Sequence, residues 1–523
     1  MKTSFLDGLG VLVLGLGDSG LAMARWCARN GAATVRVWDS RAQPPQAAAL
    51  REALPSAAIF GGALDAEAAL EGVQLLLKSP GLAPHDERIA PLLARAAQSG
   101  IAVLNELDLF TRALAELKAE RGYAPQLLAI TGTNGKTTTT AMTALLVERA
   151  GRKVAMAGNI GPSMLTTLAE ALDAGGALPD VWVLELSSFQ LDAVRDFEPS
   201  AAALLNLTQD HLDWHGSMDA YAAAKARIFG RDAVLVVNRD DAQVEAVVET
   251  LLAAPPAAKQ AKATKPRKPS PRRVVRFGLD APRRAGDFGL VTENGMAWLV
   301  RAQPAEDAPR QRRGDAPAPA EELLLQRLMP ADALRLRGRH NAANALAALA
   351  LAGAIGCALA PMLHGLREYA GEPHRVEHVA SVHGIDFFDD SKGTNVGASV
   401  AAIDGLGADR APSKLVVLLG GDGKGQDFTP LAGPLARHAR AIATLGRDAA
   451  QFEAVLGELG VPLERQPTLE AATRWAYAQA RPGDAVLLSP ACASLDMFRN
   501  YGHRAEVFVA EVRAIALEQG EVA

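Results

Sequence analysis

The chain has 523 residues and a formal net charge of −5, with 49% hydrophobic and 22% charged residues. That length exceeds what one core holds, so roughly two to four domains are expected, and the mild acidity excludes a global basic field for nucleic acid. Cys27, Cys357 and Cys492 are far apart and lack C-x-x-C spacing, which points to a reducing, cytoplasmic setting rather than disulfides or a zinc ribbon.

Met1–Leu9 contains Lys2 and Asp7 and no long apolar core, so no secretory leader is expected. No uncharged apolar run is long enough to suggest a membrane span. Val11–Leu14 and Thr34–Trp38 read as strands around a helix at Ser19–Arg29, and Gln74–Leu77 and Ala102–Leu104 continue the alternation. Strands alternating with helices make a parallel sheet covered by helices. The first strand runs into Gly15-Leu16-Gly17-Asp18-Ser19-Gly20, and Asp39 ends the second. A dinucleotide fingerprint looks much like this. NAD, another nucleotide-like ligand and simple tight helix–strand packing all remain open on spacing alone.

Leu127–Ile130 begins a second unit of the same kind and leads into Thr131-Gly132-Thr133-Asn134-Gly135-Lys136-Thr137-Thr138. Backbone N–H groups of such a glycine turn can converge on a phosphate, and the following helix adds its positive end. Lys136 is placed for the outer phosphates and the Thr137 hydroxyl for Mg²⁺, so ATP is the expected ligand. The loop departs from G-x-x-x-x-G-K-[ST], because Ile130 stands where the first glycine belongs. Val181–Glu185 and Ala202–Asn206 are further strands with polar ends, and ligands collect beyond the carboxyl ends of strands in such sheets. Glu185 is therefore a candidate Mg²⁺ ligand; capping the next helix is the other reading. Asp210-His211 follows the second of these strands, and His211 is either a metal ligand or a satisfied polar residue. Lys225, in an Ala-rich helical run, reads locally as a surface lysine.

From about 253 to 322 the composition turns to Pro, Ala, Lys and Arg, which suits a solvated insertion without a core of its own. Inside it, Leu290–Val300 reads as a hairpin with an Asn294-Gly295 turn. Asn341–Ala354 is strongly helical; Asn341 and Asn344 share a face that suits an adenine edge, with helix capping by His340 and Asn341 as the plainer reading. A third α/β unit begins near Glu372, with strands at Ile385–Phe388, Leu415–Leu419, Ala441–Leu445 and Ala485–Leu488. Three polar clusters follow these strands: Asp389-Asp390-Ser391-Lys392-Gly393-Thr394-Asn395, Gly420-Gly421-Asp422-Gly423-Lys424, and Ser489-Pro490-Ala491-Cys492-Ala493-Ser494. Lys392, Lys424 and Ser494 there suit a small anionic substrate.

The ordered series Gly-Thr-Asn-Gly-Lys-Thr, Gly158-Asn159-Ile160-Gly161, Glu185-Leu-Ser-Ser-Phe-Gln, Asp210-His211, Lys225, Gly338-Arg-His-Asn and Pro373-His-Arg375 resembles the Mur ligase family. The three C-terminal clusters resemble in particular the group that joins D-glutamate to UDP-N-acetylmuramoyl-L-alanine. The resemblance skips only the 253–322 insertion. It implies an α/β chain of three domains: a Rossmann-like UDP-binding domain at 1–110, a P-loop-type central ATPase at 111–371, and a Rossmann-like C-terminal domain at 372–523. It implies that the glycine turn holds UDP rather than NAD, with Asp18, Ser19, Asp39, Ser40, Arg41, Ser79 and Gly81 lining that site. Asn159 and His211 would then contact the muramoyl-alanine end. ATP would meet Gly132 to Thr138, Asn341, Asn344, Arg375 and Asp390. Two Mg²⁺ ions are implied, one on Thr137 and Glu185, the other on His211 and Lys225. A lysine ammonium has no lone pair for a metal, and in the family this lysine carries a CO₂-derived carbamate. Lys392, Thr394, Lys424, Ser494, Leu495 and Tyr501 would surround D-glutamate, Tyr501 standing where Phe is frequent. A cytoplasmic monomer is expected. Folylpolyglutamate synthase shares the short phosphate loop but not the Asp390-Ser-Lys-Gly-Thr-Asn and Ser-Pro-Ala-Cys-Ala-Ser runs.

Overall fold

A computed structural model describes residues 4–253, 272–305, 323–336 and 338–521. The Lys/Arg/Pro-rich stretch at 254–271 and the second Pro/Ala/Arg-rich stretch at 306–322 lie outside the described residues.

Three α/β units follow one another along the chain. The first is a five-stranded parallel sheet in the spatial order Ala58–Phe60, Thr34–Trp38, Gly10–Leu14, Leu75–Lys78, Ala102–Leu104. The second has six parallel strands: Val274–Phe277, Val234–Asn238, Ala201–Leu204, Gln126–Thr131, Val181–Glu185 and Val154–Gly158. The third places Ile385–Asp389, Ala485–Leu488, Leu415–Gly420, Ala439–Leu445 and Leu463–Arg465 in parallel, with Glu377–Val382 antiparallel at one edge. The central strands are buried along their whole length and almost entirely apolar, because helices cover both faces.

The expected hairpin forms between Phe288–Glu293 and Met296–Pro304. Asn294 and Gly295 both have positive φ (52° and 80°), the backbone that a two-residue Asn-Gly turn supplies. A third strand, Leu323–Pro330, completes a small antiparallel sheet.

The first and second units share a core. Helix Glu106–Arg121 connects them, started by an Asn105/Asp108 capping box. Its Phe110 meets Trp182 edge-on at 4.9 Å, both fully buried, each contributing about 2–3 kcal/mol by removal from water. Helix Arg339–Ala354 is buried on nearly all sides from Asn344 to Ala352, as the Ala/Leu-rich run after its polar first turn requires. Among the described residues no helix is long and apolar enough to cross a membrane.

Candidate active site

Strand Gln126–Thr131 delivers the phosphate loop. Ile130 is fully buried and pairs in register with Glu185, so the position of the missing first glycine belongs to the sheet. The turn proper begins at Gly132. Asn206, just past the neighbouring strand, clamps the loop: its Oδ1 accepts from Asn134 N at 2.7 Å and its Nδ2 donates to Asn134 O at 3.0 Å. Lys136 folds its ammonium onto the loop's own carbonyls, Gly132 O at 3.1 Å and Thr133 O at 2.8 Å. These weak acceptors stand where phosphate oxygens would compete for the charge. Gly135 has φ +79°, and a Cβ there would lie 2.6 Å from Asn344 Oδ1. Gly135→Ala is expected to cost about 1–2 kcal/mol in backbone strain alone, and to weaken nucleotide binding by displacing Asn344; thermal unfolding and an ATP titration check both.

Glu185 ends the next strand, 2% exposed. Its Oε1 accepts from Asn159 Nδ2 at 2.9 Å, while Oε2 is buried with no partner among the described residues. The capping alternative is overturned: Ser187, with Gln190, caps the following helix. His211 lies beside Asp210 in the left-handed region (φ 54°), with its ring 4.6 Å from Phe189. Burial lowers its pKa to about 4, which leaves a neutral imidazole at pH 7 with a free lone pair.

Lys225 is buried rather than a surface lysine. Helix Met218–Ala226 turns Tyr221 and Lys225, an i,i+4 pair, inward together. The Lys225 amine donates to Gly132 O at 2.8 Å and Thr131 Oγ1 at 3.3 Å. Burial first, and the charge of Lys136 second, hold its pKa well below the ordinary lysine range. Tyr221, which sequence reasoning passed over, shares a 3.1 Å hydrogen bond with Thr133; an isolated Tyr in an Ala-rich helix carries no motif signal.

The third unit closes onto this loop. Arg375 Nη2 donates to Thr137 Oγ1 at 3.2 Å, and Asn395 Nδ2 donates to Asn134 Oδ1 at 2.9 Å. Lys424 adds to the positive charges felt by His211, so it faces the central site. Asp390 is buried, accepts from Ser489 Oγ at 2.6 Å, and is raised by burial to about 7. The Lys392 ammonium sits 5.7 Å from the Tyr501 ring centre. Ser494 is buried, Tyr501 is exposed, and Leu495 is 72% exposed at the rim. Thr394 lies in the same loop, its N–H donating to Lys392 O at 3.0 Å. Arg504 was also unforeseen: buried, it donates to Ser391 Oγ and O and to Cys492 O, joining two of the three clusters. Asn344 Nδ2 donates to Asn341 Oδ1 at 3.2 Å. Gly338, with no side-chain cap, starts their helix, so His340 and Asn341 are not its caps.

The seven residues expected at the UDP end, Asp18, Ser19, Asp39, Ser40, Arg41, Ser79 and Gly81, line one cavity of about 390 Å³ in the first unit. Asp39 accepts from Leu16 N at 2.6 Å and pairs with Arg41 at 2.7 Å, and Arg41 holds its carboxyl down at about 2. A dinucleotide site needs this carboxylate for a ribose hydroxyl; here it already orders the glycine turn and an arginine. At Gly20 a Cβ would fall 1.9 Å from Gly15 O, so the last glycine is dictated by helix–strand contact.

The chain matches three family models: "Mur ligase MurD-like, N-terminal domain" over residues 10–105, "Mur ligase middle domain" over 130–265, and "Mur ligase, glutamate ligase domain" over 374–492. It is 59% identical over 515 residues to the UDP-N-acetylmuramoylalanine–D-glutamate ligase of Burkholderia mallei strain SAVP1, covering 98% of each chain. The same identity holds over 516 residues with the ligase of that name in Burkholderia pseudomallei strain 668, again 98% of each. Its fold is similar to the crystal structure of UDP-N-acetylmuramate-alanine ligase MurC from Thermotoga maritima (TM-score 0.55, 19% identity, 97% of this chain and 100% of that one). It is also similar to MurF ligase from Thermotoga maritima in complex with ADP (TM-score 0.54, 16% identity, 98% and 96%).

Proposed function

The chain belongs to the Mur ligase family, and from that premise we propose that it joins D-glutamate to UDP-N-acetylmuramoyl-L-alanine through an acyl phosphate. It is an ATP-dependent ligase of peptidoglycan precursor synthesis. A carboxylate is a poor electrophile; phosphorylation gives it a leaving group. The γ-phosphoryl of ATP passes to the terminal carboxylate of the alanyl group, releasing ADP. The D-glutamate ammonium loses one proton and the resulting amine attacks the acyl carbon; the tetrahedral adduct loses a second N–H proton and expels phosphate, leaving an amide. Positioning and charge stabilisation carry such transfers.

The chain's own residues divide the work. Lys136 leaves its loop carbonyls for the γ-phosphate. Arg375, already on Thr137, reaches the same phosphates from the third unit. Asn341 and Asn344 face the adenine end, and Asp390 the nucleotide from the opposite side. The cavity at Asp39–Arg41 takes the UDP end, and Asn159 and His211 the muramoyl-alanine end. Lys392, Thr394, Lys424, Ser494, Leu495 and Tyr501 receive D-glutamate, the lysines pairing with its carboxylates.

Thr137 with the unpartnered Glu185 oxygen, and neutral His211 with Lys225, form two oxygen- and imidazole-bearing donor sets that would each suit a Mg²⁺. Bound there, Mg²⁺ would offset charge on the transferring phosphoryl group. Lys225 suits carbamylation because CO₂ combines with the neutral amine, losing a proton, and burial favours that neutral form. The carbamate would supply the anionic oxygens an ammonium lacks.

The observation that supports this reading most is the convergence of Lys136, Glu185, His211 and Lys225 beside one phosphate loop. Phosphate release is expected to require UDP-N-acetylmuramoyl-L-alanine and D-glutamate together. Release with L-alanine or meso-diaminopimelate in place of D-glutamate would overturn the substrate assignment.

A further inference from the structure

Lys78 is the last residue of strand Leu75–Lys78, one position beyond the expected strand end, and is 6% exposed. Its ammonium has one hydrogen-bond acceptor among the described residues, Leu82 O at 2.7 Å. An ammonium has three donors, and buried donors without acceptors are costly. The charge lies 5.5 Å from the centre of the Trp214 ring, across the boundary between the first and second units. Trp214 is 9% exposed, and its indole Nε1–H is buried without an acceptor among the described residues. Two polar side chains, one from each unit, thus face one another with hydrogen-bonding capacity unspent. Asp192 is the nearby opposite charge felt by Lys78.

Their place gives them a use. Leu82 lines the 390 Å³ cavity of the first unit, and Trp214 lies three residues beyond His211. That cavity is near the lower end of the ~300–1,000 Å³ range of small-molecule pockets, enough for a nucleoside diphosphate and not for a whole sugar nucleotide. A substrate with its nucleotide in the cavity and its carboxylate near His211 must carry its middle part across this boundary. That middle part is an N-acetylated hexosamine ring, rich in acceptor oxygens and with an apolar face. The Trp214 ring itself packs against Phe189 at 4.9 Å and His215 at 4.4 Å, so what it and Lys78 offer the sugar is a cation and an N–H donor that match its acceptor oxygens.

We propose that Lys78 and Trp214 form the subsite for the amino-sugar ring, Lys78 donating to its oxygens and the Trp214 indole N–H to its acetamido carbonyl. The proposal rests on the substrate reading above.

Calorimetric titration of UDP and of UDP-N-acetylmuramoyl-L-alanine into wild type, Lys78→Met and Trp214→Phe tests it. Methionine keeps the apolar stem without the charge; phenylalanine keeps the aromatic face without the N–H. Each variant is expected to weaken the sugar nucleotide roughly tenfold, the worth of a hydrogen bond to a buried donor, and to leave UDP within about twofold of wild type. Unchanged sugar-nucleotide affinity in both variants would overturn the subsite. So would a parallel loss of UDP affinity in Lys78→Met, which would make the lysine a staple for the Leu82 loop. Should Lys78→Met fail to fold, Trp214→Phe and Lys78→Arg decide by the same comparison. Wild type that binds UDP but not the sugar nucleotide would overturn the substrate reading itself, a result distinct from selective loss in the variants.

Discussion

Replacing Lys225 by alanine is expected to lower kcat by about 10³-fold or more, on the order of 4 kcal/mol of transition-state stabilisation, and short carboxylic acids such as acetate are expected to restore part of it. The amine sits against Gly132 O and Thr131 Oγ1, under the phosphate loop. Its removal leaves a space of carboxylate size beside Glu185 and His211. An added carboxylate occupies that space and returns the anionic oxygens. Lys225→Arg, which stays charged and does not take up CO₂, is expected to be inactive and beyond rescue. A ¹³C-NMR carbamate signal after exposure to ¹³CO₂, present in wild type and absent in Lys225→Ala, gives a readout independent of turnover. Full activity in the unsupplemented alanine variant would rule out the carbamate role.

Glu185→Gln is expected to separate activity from stability. Glutamine keeps an oxygen for Asn159 Nδ2, so the local geometry holds. The lost charge is expected to cost about 10²–10³ in kcat, roughly 2.7–4 kcal/mol, and to raise the Mg²⁺ concentration needed for half-maximal rate. Stability moves the other way. In wild type one carboxylate oxygen is buried without a partner, which burdens the folded state. The variant is therefore expected to unfold at the same or a higher temperature than wild type. A large fall in Tm alongside the lost activity would make Glu185 a structural strut instead.

Most of the strands were legible from local pattern, because apolar runs bounded by glycine and polar residues admit few other readings. Thr34–Trp38, Ala102–Leu104, Val181–Glu185 and Ala485–Leu488 fall where the pattern places them. The edge strand Ala58–Phe60 carries a weak signal because it is three residues long and partly exposed, and Leu463–Arg465 and the antiparallel Glu377–Val382 because they are also partly polar. The Ala202–Asn206 pattern overshoots: the strand is Ala201–Leu204, and Asn206 serves the phosphate loop as a clamp.

The candidate site divides along the same physical line. Backbone-determined features, such as the glycine turns at Gly15–Gly20 and Gly132–Gly135 and the helix that follows each, are properties of short segments, and the order of residue types identifies them. Side-chain environment is not local. Lys225 looks like a surface lysine until its helix docks, and His211 is ambiguous until burial makes its ring neutral. Arg375 and Asn395 acquire a role only because the third unit closes on Thr137 and Asn134, residues 238 and 261 positions away. The types of chemistry available are written in the chain; which groups are desolvated, paired or left with an empty oxygen depends on packing between distant segments, since burial and charge act through space and not along the backbone.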